Sequence, residues 1–318
     1  MIVKTKKPKH PAIHQMTAAQ FDKTFPDENA CAVYLVKQRW PKEICCPRCG
    51  SYKTYPLKTM QFKWECADCR EGGAYRFSHI VGTIFENTNK PLRDWFRVIH
   101  MMMTSKKGVS ALQVKRVLGF GSYETAWYMC HRVRAALHDP DFKQLIGVVE
   151  VDETFVGGEA KNRHKDKRGG GKGRGGGGGI GSGKIPVIGA VARKGKIVAK
   201  VINSISAETM VGFVREAVSR RVSLLCTDQF TAYQSLRREG FPHRTVNHAH
   251  GEYVVGAIHT NTIEGFWSLL KRGVMGSYHK VSAKYLPLYV AEFAFRYNNR
   301  SNDGIFGEAI ERCKWRPA

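Results

Sequence analysis

Two CxxC turns, Cys46 and Cys49 in CPRCG and Cys66 and Cys69 in CADC, lie sixteen residues apart and constrain this chain more than any other feature. Each turn aims two thiolates at one point, so a hairpin that joins the turns builds a tetrahedral four-sulfur site suited to Zn2+. Few aliphatic residues occupy this window, so four reduced cysteines have no large core to hide in. A redox CxxC pair, for its part, needs no duplicate. Four thiolates leave no open position for water, which makes the metal a source of folding energy rather than of catalysis. Cys45 is a rival to Cys46, with a less usual spacing to Cys49. Cys31, Cys130, Cys226 and Cys313 are scattered and read as buried small hydrophobes. An odd total of nine cysteines argues against an extracellular disulfide scaffold and for a reducing cytoplasm.

The 318 residues are 42% hydrophobic and 25% charged, the profile of a folded soluble protein long enough for two domains. Lys and Arg number 51 against 27 Asp and Glu, a net charge of +24 that favours a polyanionic partner, nucleic acid first. No stretch reaches the about 18 apolar residues that span a bilayer. The basic opening MIVKTKKPKHP is not followed by a signal peptide. No membrane role is expected.

Hydrophobic periodicity divides the chain. Residues 1–42 hold a helical segment interrupted near Pro26, and 43–78 a small β module around the cysteines. Residues 79–140 are helical: a stripe from Leu92 to Met103, then helices over Val109–Leu118 and Tyr123–Leu137 about a Gly-containing turn. That pair resembles a helix-turn-helix, with Lys115, Arg116, Arg132 and Arg134 as candidate DNA contacts. From 141 to 305 the pattern is mixed: strands at Leu145–Val156, Ile185–Ala192, Lys196–Val201 and Val222–Cys226, and helices at Ala207–Arg220, Ala232–Glu239, Thr262–Lys271 and Ser282–Tyr297. This describes a three-layer α/β domain, and 306–318 read as a C-terminal tail.

An insertion at 157–184 breaks the α/β pattern. Between Lys161 and Arg174 it carries seven Lys or Arg against one Asp, then a glycine tract. Its ending GSGK lacks both the preceding apolar strand and the following Ser or Thr of a phosphate-binding loop. Two readings stand: a merely solvated loop, or a basic arm that lies along phosphates through Lys165, Lys167, Arg168, Lys172 and Arg174.

Asp152 lies within the apolar run VVEVDETFV and Asp228 directly follows LLCT. An acid in an interior strand is costly unless paired or bound to a cation. Strand alternation puts Glu150 on the face of Asp152 and makes it a rival ligand, while Glu153 points the other way. In HTNTIEGFWSLLKRG, Thr262 is a candidate helix cap, and Lys271 falls seven residues after Glu264 on the same helical face, with Arg272 beside it. Acids for divalent ions and a lysine for phosphate suit a phosphodiester substrate.

The motifs CPRCG with CADC, GTIFENTNKPLRDWF, TSKKGVSALQVKRVLG, VEVDETFVGG, TDQFTAY and HTNTIEGFWSLLKRGVMGSYH together resemble the DDE transposases of bacterial insertion sequences that carry an N-terminal zinc ribbon. The resemblance runs from about Thr17 to Tyr297. It implies a ribonuclease H-like catalytic domain whose metal-binding triad falls on Asp152, Asp228 and Glu264, with Lys271 as the downstream basic residue. Related groups use an Asn as third ligand, for which Asn261 is the alternative. The thirty-five residues between Asp228 and Glu264 look like the family's spacing. The implied cofactors are a structural Zn2+ and two catalytic Mg2+ or Mn2+. The implied activity is hydrolytic nicking at transposon ends followed by strand transfer of the 3′-hydroxyl into target DNA. Partners would be double-stranded DNA, as terminal inverted repeats and target, with a homodimer or higher oligomer on DNA, in the cytoplasm with the nucleoid. The alternatives are a non-catalytic zinc-ribbon DNA-binding regulator and a structure-specific DNA nuclease or resolvase.

Overall fold

Thr17 and Asp27 both hold extended backbone ahead of a short helix, and each accepts a hydrogen bond from an amide of the first turn, so the chain folds as two helices on either side of Pro26. These are α1 (Ala18–Thr24) and α2 (Glu28–Arg39). A computed structural model describes residues 16–69, 73–139, 142–158, 184–228, 231–246 and 259–314. It divides into two units, one of residues 1–137 with 299–318, the other of 138–298.

The first unit continues with an antiparallel sheet, β1 (Thr54–Pro56), β2 (Lys63–Cys66) and β3 (Tyr75–Ser78), with β2 central. Helices α3 (Leu92–Thr104), α4 (Ala111–Leu118) and α5 (Tyr123–Ala136) follow. α4 ends at Gly119, whose φ of 67° is the left-handed conformation that glycine adopts freely. Helix α3 starts behind Pro91 with no local side-chain cap. The Glu28 carboxylate supplies one from α2, accepting from Leu92 N at 2.6 Å and Arg93 N at 2.9 Å. Phe21, Phe25 and Phe96 form a fully buried aromatic cluster.

Part of the expected tail 306–318 joins that cluster. Ile305–Cys313 is a helix, α9, that buries Phe306, Ala309, Ile310 and Cys313. The Phe306 ring lies 5.5 Å from Phe25 and 5.8 Å from Phe96, centroid to centroid. The physical reason is the apolar spacing 305, 306, 309, 310, 313, a helical stripe that needs a core to cover it.

In the second unit, β4 (Val148–Val156) is the middle of a five-stranded sheet ordered β6-β5-β4-β7-β8. It runs antiparallel to β5 (Ile185–Ala192) and parallel to β7 (Leu224–Asp228). β6 (Ile197–Val201) is antiparallel to β5, and β8 (His243–Val246) is parallel to β7. α6 (Ala207–Ala217) follows β6, and a 3-10 segment at Thr231–Arg237 stands where an α-helix over Ala232–Glu239 is expected. α7 (Asn261–Gly273), a π-helical turn at Val274–Tyr278 and α8 (Leu286–Asn298) close the unit.

The sheet's alternating side chains feed two cores. Val149, Val151, Ile188, Ala190 and Leu225 pack with Met210, Phe213 and Val214 of α6 and with Tyr233. Val187, Val191 and Ile197 pack with Ile263, Phe266, Trp267 and Leu270 of α7 and with Leu286 and Phe293 of α8. Residues 159–183 of the basic insertion lie outside the described residues, and with them Lys165, Lys167, Arg168, Lys172 and Arg174. Among the described residues no helix is long and apolar enough to cross a membrane.

Candidate active site and metal centre

The cysteine centre is built by the β2-β3 module and the turn before it. Gly50 ends the first CxxC knuckle with a φ of 74°, and its amide donates to Cys46 O at 2.9 Å, a geometry that would strain any larger residue. Cys66 terminates β2, whose Trp64 pairs with Phe77 of β3, and both rings pack with Trp40 in the cluster that holds Cys46 and Cys66. One sulfur from each of Cys46, Cys49, Cys66 and Cys69 falls within 4.8 Å of the others. Cys46 Sγ stands 3.9 Å from Cys69 Sγ, and Cys49 Sγ 3.6 Å from Cys66 Sγ. Tetrahedral Zn2+ with bonds of about 2.3 Å requires sulfurs about 3.8 Å apart, so the four thiols fit the ion. Cys45 is not in the cluster.

The acidic centre sits at the C-terminal end of β7. β4 pairs with β7 as far as Glu150 and Cys226, and the same register carried two residues on sets Asp152 level with Asp228. Carboxylate oxygens of Asp152, Glu153 and Asp228 lie within 4.8 Å of one another. Burial pushes the Asp152 carboxyl up to about 7, helped by the charges of Glu153, Asp228 and Glu264. Burial and then Asp228 push Glu153 up to about 7 as well. Three hard oxygen donors that repel one another are the donor set a divalent cation satisfies. Tyr233, fully buried, donates its hydroxyl proton to Glu153 Oε2 at 2.9 Å.

Glu153 is the member sequence reasoning missed. Alternation is obeyed, since Glu153 meets Tyr233 on the α6 face while Asp152 meets Trp267 on the α7 face. Both carboxylates nevertheless reach Asp228, because β4 runs past the point where its pairing with β7 stops. The available signal was the acidic doublet inside the apolar run VVEVDETFV.

Glu150, the rival to Asp152, has a different occupation. It is 0% exposed and accepts from Arg193 Nε at 2.7 Å, Thr262 N at 2.8 Å, Thr262 Oγ1 at 2.9 Å and Ile263 N at 3.1 Å. His259 Nδ1 is 3.2 Å away. The carboxylate thus caps α7 from the sheet, the position of strongest attraction for a negative charge. Thr262, expected as the cap, lies inside the helix, whose N-cap is Thr260.

α7 also carries Asn261, Glu264, Lys271 and Arg272. Glu264 is outside the acidic cluster, although its charge is among those acting on Asp152, and its Oε1 accepts from Thr260 Oγ1 at 2.8 Å. Asn261, Lys271 and Arg272 are exposed. Of the residues expected to meet DNA through the helical pair, Arg116 is exposed and Lys115 half-buried, both in the last turn of α4. Arg134, by contrast, is 1% exposed, on the buried face of α5. Arg132 is half-buried, with Trp95 and Tyr128 rings 5.6 Å and 5.5 Å from its guanidinium.

Residues 144–298 match the ISXO2-like transposase domain and residues 26–72 the transposase zinc-ribbon domain, together more than half of the chain. The chain thus joins a region similar to the ISXO2-like transposase domain to one similar to the transposase zinc ribbon. A relative from Halobacterium salinarum, described as an uncharacterized protein in transposable element ISH50, is 29% identical over 286 residues, 86% of this chain and 92% of the relative. Among solved structures, a chain of the simian T-cell lymphotropic virus intasome in complex with PP2A regulatory subunit B56 gamma is similar over 57% of this chain. The match spans 63% of that chain, under two thirds of its length, at 13% identity and a TM-score of 0.28, too loose to bear on the fold. The zinc-ribbon match coincides with the four-sulfur cluster, and the transposase-domain match takes in the acidic cluster and α7.

Proposed function

We propose that the chain is the DNA-cutting and DNA-joining enzyme of an insertion sequence, with a ribonuclease H-like catalytic domain of three layers. The observation that carries this reading is the meeting of Asp152 and Asp228, from two strands of one sheet, with carboxylate oxygens within 4.8 Å of each other inside a transposase-domain match. A pair of Mg2+ or Mn2+ ions, when bound, lowers the pKa of an attacking water or 3′-hydroxyl and stabilises the leaving oxygen. Asp152 and Asp228 hold the cations, and α7 brings Glu264 or Asn261 as a further ligand. Lys271 and Arg272, exposed on the last turn of the same helix, contact the phosphates on either side of the cut.

In the first reaction water attacks phosphorus at the element's end, the bond to the 3′-oxygen breaks, and that oxygen leaves with a proton as a 3′-hydroxyl. In the second, this hydroxyl loses its proton and attacks a target phosphodiester, whose own 3′-oxygen departs. One site serves both, because only the nucleophile changes. The zinc ribbon and the α4-α5 pair hold double-stranded DNA, and two copies or more bring the two ends together. The work takes place on DNA in the cytoplasm.

The test is a nicking and joining assay with duplexes taken from the inverted repeats that flank the coding region. Cleavage should require Mg2+ or Mn2+ and vanish in Asp152→Asn and Asp228→Asn while DNA binding persists. Full cleavage by either variant would refute the assignment. Cleavage without joined target products would favour a nuclease or resolvase, and binding without cleavage a regulator.

A further inference from the structure

Asp152 carries the proposed chemistry, and two residues outside the assigned ligand set act on its carboxylate. The Trp267 indole Nε1–H donates to Asp152 Oδ2 at 3.1 Å. Trp267 is 4% exposed and follows Glu264 by three residues, so it shares that side of α7 and lies against the sheet. Directly below the ring is Gly189, the residue that the β4-β5 register sets across from Asp152. A Cβ at position 189 would stand 2.8 Å from Cη2 and 2.9 Å from Cζ2 of the indole, and 3.3 Å from Ile263 Cδ1. The six-membered ring therefore occupies the volume that any other residue would fill on β5.

Packing alone does not call for an indole at this point. Phe266 and Leu270 cover the same apolar face of α7 without any polar atom. An indole N–H can only donate, and the acceptor it meets is a half-buried carboxylate that neighbouring acids already crowd. A donor fixed to one oxygen stops the carboxylate from turning and holds its other lone pairs toward Asp228. A carboxylate that is oriented before a cation arrives loses less entropy when it binds.

We infer that Trp267 is the positioning residue for Asp152, fixing its carboxylate for a divalent cation through the indole N–H, and that Gly189 is the gap in the sheet that admits the ring. The inference rests on Asp152 being a cation ligand, and the experiment separates the two claims. Mn2+ binding to the full-length, zinc-loaded chain is titrated by the electron paramagnetic resonance of free Mn2+, and thermal unfolding is followed in parallel. Asp152→Asn should lose the site. Trp267→Phe keeps an aromatic ring and removes the donor, and should weaken Mn2+ about 10-fold. Gly189→Ala, which drives the ring off Asp152, should weaken it to a similar degree. A packing role alone would lower the unfolding temperature of both variants and leave Mn2+ affinity at the wild-type value; that result, with Asp152→Asn still inactive in binding, overturns the positioning role and leaves the cation site standing. Wild-type affinity in Asp152→Asn overturns both. Where Trp267→Phe fails to fold, Gly189→Ala decides the matter by the same readout.

Discussion

Replacing Asp152 with Asn removes the most strongly opposed charge in the acidic cluster, and its effect on stability has a sign that can be worked out. The carboxyl moves from an ordinary 3.8 to about 7, first through burial and then through Glu153 and Asp228. A carboxyl whose folded value is raised binds its proton in the folded chain where the unfolded chain has released it. Folding therefore loses stability as pH rises from about 4 to about 7, and the whole loss is present above that range. The gap corresponds to on the order of 4 kcal/mol. The amide of Asp152→Asn keeps an oxygen for the Trp267 donor and carries no charge, so without Mg2+ or Mn2+ the variant should be the more stable protein at pH 8, by about 2 to 4 kcal/mol, and no more stable at pH 4. Added Mg2+ should close the difference by stabilising only the wild type. Hydrogen exchange at the β4 and β7 amides reads the effect locally, which matters in a chain of two units that need not unfold together. An Asp152→Asn chain that exchanges as fast as wild type at pH 8, and that Mg2+ protects equally, would refute the account of this cluster as a charge-strained cation site.

Loss of zinc should unfold the ribbon: Cys66→Ser is expected to drop the zinc content measured by mass spectrometry from one ion per chain to none and to expose Trp64, seen as a red shift in its fluorescence. Glu150→Ala takes the carboxylate from Arg193 Nε and the α7 amides and should cost about 3 to 5 kcal/mol in calorimetry of the second unit, with Glu150→Gln costing less. Arg116→Ala should weaken duplex DNA binding and lower the slope of log affinity against log salt by about 1, whereas Arg134→Ala should act on thermal stability and leave that slope alone.

What the sequence made legible was local, or was a violation of a local rule. The cysteine pairs announce their site because each turn supplies half of it within four residues. Asp152 and Asp228 stand out because charge in an apolar run needs a reason. The helix starts were harder. α3 and α7 begin without a cap of their own, and the carboxylates that cap them, Glu28 and Glu150, lie 64 and 112 residues away. No window of neighbouring residues contains that information. For the same reason Glu150 and Asp152 look alike in VVEVDETFV, and only the arrival of Arg193 and Thr262 gives one of them a structural task. Arg134 misled in the opposite direction: a positive charge near a helical turn suggests DNA, yet its side of α5 faces inward. Glu153 was set aside by a correct rule of alternation that loses its force where a strand outruns its neighbour.

Helix α9 makes the first unit discontinuous, with the unit of the five-stranded sheet spliced in between Leu137 and Asn299. Ribosomes deliver Phe306 only after that whole insert, so the aromatic cluster around Phe25 and Phe96 lacks one wall while the insert is being made. The nascent polypeptide can thus assemble its acid-bearing half before its amino-terminal half is sealed. A product cut short before Ile305 forfeits the earlier-made body rather than the later one.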